Sequence, residues 1–176
     1  MDATSLKNYV CPAWSDFPDI ELYMDQVISL LERMLAPFFH KEEKSITSTM
    51  IQNYVKQRII PPPKNKRYTR AHLSLLFIVC VWKRFMQLSE IGDLLEYLKK
   101  NRTEEELYAF FADELTASIH FVFSEGMGEQ APLSDPADNA ARAACAAFSS
   151  VIYAEIALKN AAPKPAKRST DKKQKK

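Results

Sequence analysis

Glycine is the residue this chain largely does without: three occur in 176 residues. Tight turns and phosphate-cradling loops both draw on backbone that reaches positive φ at no steric cost. A chain this poor in glycine is expected to fold from helices joined by short connectors, not as a β-sandwich or barrel. It also lacks a phosphate-binding glycine loop. With 47% hydrophobic residues it can fill a core, and its length suits one domain or one small domain with an extension.

Apolar periodicity divides the chain into helices. Met1 to Phe17 reads as an irregular arm. Asp16 and Pro18 offer a helix start, and Ile20, Tyr23, Met24, Val27, Leu30, Leu31, Met34 and Leu35 recur at three and four up to Pro37. His40 to Ser45 is a charged connector. Thr47 or Ser48 can cap a helix to about Arg58, and Pro61-Pro62-Pro63 then stops it for want of backbone donors. Lys64 to Tyr68 forms a turn or small hairpin. Thr69 caps an apolar helix over His72 to Met86, Ser89 caps Glu90 to Lys100, and Thr103 with Glu106 makes a capping box for Glu104 to Phe123. Asp135-Pro136 opens an alanine-rich helix to about Asn160. Ala161 to Lys176, rich in proline and lysine, is expected to be disordered.

Charge is segregated. Net charge is only +2, but Met1 to Glu43 carries eight acids against three bases, and Ala71 to Leu158 thirteen against six. Between them Lys44, Lys56, Arg58, Lys64, Lys66, Arg67 and Arg70 make seven bases with no acid. From Lys159 onward eight bases face one acid. A local field, not the net charge, decides whether a surface attracts phosphate. On the Thr47 helix, Met50, Ile51, Tyr54 and Val55 fall on one side at about 100° per residue. Ser48, Thr49, Gln52, Asn53 and Lys56 fall on the other, within about 140°. Small hydroxyls, amides and a lysine suit base edges and phosphates in a major groove.

Other chemistries find little support. Cys11, Cys80 and Cys145 are odd in number and far apart, neither a disulfide framework nor a zinc spacing. His40, His72 and His120 are scattered, so no metal is expected. Glu104-Glu105-Glu106 at a helix start complements the helix dipole. No nucleophile, base and acid stand at catalytic spacing, so neither an enzyme nor a cofactor is expected. Met1 to Val10 is too polar for a signal peptide, and Leu73 to Trp82 spans roughly half a bilayer. A cytoplasmic protein without a membrane segment is expected.

The segment Thr47 to Arg70, TSTMIQNYVKQRIIPPPKNKRYTR, resembles the DNA-contacting part of the MerR family. The matching features are Tyr54, Ile59-Ile60, Pro61 to Pro63, Arg67-Tyr68 and Thr69, with Leu88 to Leu95 similar to the start of that family's next helix. The chain departs from the pattern at Gln52 and Asn53, where the family carries an arginine and an aromatic. The chain is also similar to domain of unknown function family 1836, through Leu22 to Val27 and Asn53 to Leu73. These resemblances imply an all-α fold: a MerR-like winged helix-turn-helix over 18–100 with additional N-terminal and C-terminal helices, a helical region over 101–160 and a basic tail over 161–176. They imply a transcriptional regulator binding double-stranded DNA through Ser48, Thr49, Gln52, Asn53, Lys56, Lys64, Lys66, Arg67 and Arg70. Tyr68 would pack the hairpin against the core. A homodimer could use the small residues Ala140 to Ala147. An effector pocket could use the aromatics of the C-terminal half, although such a set more commonly builds core. The alternative is a protein-interaction module that keeps the winged-helix shape without binding DNA.

Overall fold

The computed structural model describes residues 6–39, 46–124 and 135–161. The protein is all-α, with six α-helices among these residues: α1 (Met24–Leu35), α2 (Ser48–Lys56), α3 (Arg70–Trp82), α4 (Leu88–Lys99), α5 (Glu104–Ser124) and α6 (Pro136–Ala161). None is long and apolar enough to cross a membrane. The expected connector His40 to Ser45, most of the loop after α5, and the basic tail lie outside the described residues.

Helix α3 is the axis of the core. Every residue from Leu73 to Trp82 is buried, as befits a helix apolar on all sides. It begins at Arg70, and His72 accepts the Thr69 N–H on Nδ1 at 3.1 Å. At α5 the capping box is complete. Thr103 N–H donates to Glu106 at 2.8 Å, and Glu106 N–H donates to Thr103 Oγ1 at 3.2 Å. Helix α4 starts two residues earlier than Ser89 suggested. Gln87 is its cap residue, and its N–H is satisfied by Glu90 at 2.8 Å. Asp135 accepts the Ala137 N–H at 2.7 Å ahead of α6.

Helix α1 begins at Met24, not near Ile20. Leu22 is taken by a different partner: its N–H donates to Tyr68 and its carbonyl accepts from Tyr68, both at 2.9 Å. This antiparallel bridge holds the segment before α1 in extended backbone, and Ile20 is left exposed.

Before α1, Leu6 and Lys7 are helical and Trp14–Asp16 forms a 3₁₀ turn; the other described residues there are irregular, yet the segment belongs to the core. Leu6, Cys11 and Phe17 are buried. Their backbone is tied to α5: Cys11 N–H donates to Thr116 Oγ1 at 3.0 Å, Tyr108 Oη donates to the Pro12 carbonyl at 2.8 Å, and His120 Nε2 meets the Tyr9 carbonyl at 2.7 Å.

Helices α5 and α6 run side by side in the same direction. Arg102, just before α5, bonds Asp138 in the first turn of α6 at 2.5 Å. Glu114 then pairs with Arg142 at 2.8 Å, and Phe123 packs edge-on to Tyr153 at 5.6 Å. Ala141, Ala144 and Cys145 are buried along α6, so part of the small-residue stripe is used within the chain. Of the C-terminal aromatics, Tyr108, Phe111, Phe123 and Phe148 are core. Phe148 meets Phe38 at 4.9 Å, which joins α6 to the turn after α1, and Phe111 and Phe17 meet Trp82 and Phe77 of α3 at 5.4 and 6.3 Å. Cys11, Cys80 and Cys145 are buried free thiols, and burial pushes Cys80 up to about 12.

Candidate functional site

The Thr47 to Arg70 segment folds into three parts. Helix α2 is capped by Thr47, whose Oγ1 accepts the Met50 N–H at 3.3 Å. Ile51 and Tyr54 are buried, with Met50 and Val55 half-buried beside them. The opposite face carries Ser48, Thr49, Gln52, Asn53 and Lys56, all exposed. The sequence periodicity and the observed burial therefore divide the helix in the same way.

The helix ends by left-handed closure. Arg58 has φ 61°. Its N–H donates to the Val55 carbonyl and the Ile59 N–H to the Tyr54 carbonyl, both at 3.0 Å. This is the Schellman arrangement, in which glycine is the usual occupant of the left-handed position. Ile59 and Ile60 are then buried, which anchors the connector before the three prolines leave for the surface.

Lys64 to Arg67 forms a minimal hairpin closed by an antiparallel bridge, with Arg67 N–H donating to the Lys64 carbonyl at 2.9 Å. Its two central residues, Asn65 and Lys66, have φ of 50° and 60°. Two successive positive φ values define a turn of the I′ kind, whose twist suits a two-residue hairpin. Lys64 and Lys66 are exposed on it. Tyr68 is buried, and its ring lies edge-on to His72 at 5.7 Å. Burial lowers the His72 pKa against the raising influence of the Pro62 and Pro61 backbone.

The nine residues singled out from the sequence therefore divide. Ser48, Thr49, Gln52, Asn53 and Lys56 share one exposed helix face, and Lys64 and Lys66 share the hairpin. Arg67 and Arg70 are engaged within the chain. Arg67 donates to Tyr23 Oη at 2.7 Å, with its guanidinium 4.4 Å from that ring's centroid. Arg70 donates to the Phe17 carbonyl at 2.9 Å and faces Asp19 at 3.5 Å.

Gln57 and Arg58 adjoin the exposed face of α2. Gln57 Nε2 donates to Asn53 Oδ1 at 3.1 Å across one helical turn. The 53–57 spacing was a readable signal for this bond. Arg58 lines a cleft of about 570 Å³ between the end of α2 and α4, with Ile59, Leu88, Asp93, Glu96 and Lys99. Nothing local in the sequence announced its left-handed backbone. Among the described residues no group of histidine, cysteine and acidic side chains is placed to hold a metal ion.

These features define an all-α protein with an acid-free polar helix face and a lysine-bearing hairpin joined by a proline stop. Residues 12–113 match the model of a domain of unknown function, DUF1836, and the chain belongs to that family. No curated protein and no solved structure matches the chain.

Proposed function

We propose that this protein is a DNA-binding transcriptional regulator built on a MerR-like winged helix, with α2 as recognition helix and the Lys64–Arg67 hairpin as its wing. The observation that carries the reading is the exposed face of α2: two hydroxyls, two amides and a lysine, without an acid, beside two hairpin lysines. Lys56, Lys64 and Lys66 contact phosphates, and Ser48, Thr49, Gln52 and Asn53 face base edges. Arg67 and Arg70 serve chiefly by fastening the hairpin and the start of α3 to the Phe17–Tyr23 segment. The protein acts in the cytoplasm without enzymatic turnover, and a two-fold dimer would address two half-sites.

Titration of a duplex at two salt concentrations tests this. Affinity falls steeply with salt, because each neutralised phosphate releases counterion. Absence of binding at low salt, or micromolar binding indifferent to salt, refutes it. Charge reversal at Lys64 weakens binding to every sequence alike.

A protein-interaction role is favoured by one other feature, an open groove of about 480 Å³ formed by Leu94, Tyr97, Ala137 and Ala140. Tyr97 is 56% exposed beside it. Partners retained from lysate after nuclease treatment, and lost on Tyr97→Glu, would support that second role.

A further inference from the structure

The face of α2 has a chemistry narrower than affinity for phosphate. In the major groove adenine presents an acceptor, N7, beside a donor, N6–H, and guanine presents two acceptors. A carboxamide, with one acceptor and two donors, complements adenine with both ends. Guanine is matched by the arginine fork, and no arginine stands on this face. Arg58 follows the helix with φ 61° and lines the cleft that also holds Asp93 and Glu96.

Gln52 and Asn53 are neighbours in sequence, so their Cα atoms lie about 3.8 Å apart. That is close to the roughly 3.4 Å rise of a duplex, so the two amides can address adjacent base pairs. Ser48 and Thr49 are short enough to leave them room, and a threonine methyl suits a thymine methyl. Asn53 is also pre-oriented: the Gln57 donor holds its Oδ1 at 3.1 Å. The oxygen keeps a second lone pair for adenine N6–H, and Nδ2 is left to donate to N7. Orienting the amide before binding reduces the ordering cost at contact.

We infer that α2 recognises adjacent A·T pairs in the major groove, with Gln52 and Asn53 reading adenine edges and Gln57 acting as the positioning residue for Asn53. This rests on the DNA-binding reading above and adds to it the base composition of the target.

The test is selection of the full-length protein on a duplex library with a randomised core, followed by anisotropy titrations on the selected site. The expected site carries two adjacent A·T pairs. Replacing either with G·C weakens binding by roughly ten-fold or more. Asn53→Ala abolishes discrimination at one of the two positions and leaves the salt dependence unchanged. Gln57→Ala lowers discrimination at that same position. Gln57→Lys, which keeps a donor for Asn53 Oδ1, retains it. Thermal melts confirm that each surface variant folds. Selected sites centred on G·C, with a preference that disappears in Lys56→Ala, overturn the inference but leave DNA binding standing. Discrimination unchanged in Gln57→Ala overturns the positioning role. No binding to any duplex at low salt refutes the proposed function itself, and the inference with it.

Discussion

The guanidinium of Arg67 lies over the ring of Tyr23, 4.4 Å from its centroid, and donates to its hydroxyl at 2.7 Å. This contact joins the hairpin to the residue before α1, next to the Leu22–Tyr68 bridge. A partly exposed cation–π pair contributes about 0.5–1 kcal/mol. Tyr23→Leu should therefore lower the melting temperature by roughly 2–4 °C, the shift expected for about 1 kcal/mol in a domain of this size. Tyr23→Phe, which loses only the hydroxyl, should lower it less. Circular dichroism melts of both variants decide this, and equal losses would place the whole effect in the hydrogen bond.

Lys66 occupies a left-handed backbone position with φ 60°. A side chain there costs roughly 1 kcal/mol relative to glycine. Lys66→Gly should raise the urea midpoint, yet on the proposed function it should also reduce the slope of log affinity against log salt by about one. Stability and binding then move in opposite directions. A variant that gained stability and kept the full salt slope would remove Lys66 from the interface.

His72 links pH to stability. Its folded-state pKa lies below the ordinary 6.5, chiefly because burial disfavours the charged ring. Below about 6.5 the unfolded chain binds the proton more readily than the folded one. The contribution of neutral His72 is therefore complete above that pH and is lost as pH falls toward the folded value. Nδ1 must also stay unprotonated to accept the Thr69 N–H. Urea midpoints between pH 7.5 and 5.5 should fall in the native protein and change less in His72→Asn, which offers an acceptor that does not titrate.

Phe148 is buried in α6 against Phe38, far away in sequence. Phe148→Ala should destabilise by about 3–5 kcal/mol, in a single transition followed alike by far-ultraviolet circular dichroism and tryptophan fluorescence. Two separated transitions would mean that α6 unfolds independently of the core around Trp82.

Local signals were legible in the sequence, and long-range ones were not. Thr103 with Glu106 and Asp135 with Pro136 mark helix starts through bonds that span two or three residues. The burial of Ile51 and Tyr54 follows from spacing alone. The start of α1 did not, because Leu22 is withdrawn by Tyr68, 46 positions along. Spacing alone puts Tyr23 on an apolar face, whereas its ring and hydroxyl receive Arg67. Counting bases likewise gave Arg67 and Arg70 the same standing as Lys64 and Lys66, since a count does not distinguish a tethered cation from an exposed one. Only three-dimensional proximity separates them.

The parallel course of α5 and α6 bears on how the chain acquires its structure. A helical hairpin can close from its turn outward, one neighbouring contact after another. Here the polar contacts that fix the pair join residues 28 to 36 positions apart, from Glu114–Arg142 to Arg102–Asp138. Contacts between residues distant in sequence retard folding. During synthesis at about 5–20 residues per second, α5 is complete while its neighbour is still being made. For that interval the flank of α5 that α6 will cover is open to solvent and to chaperones. The synthesis of α6 thus sets when that flank of α5 stops being sticky.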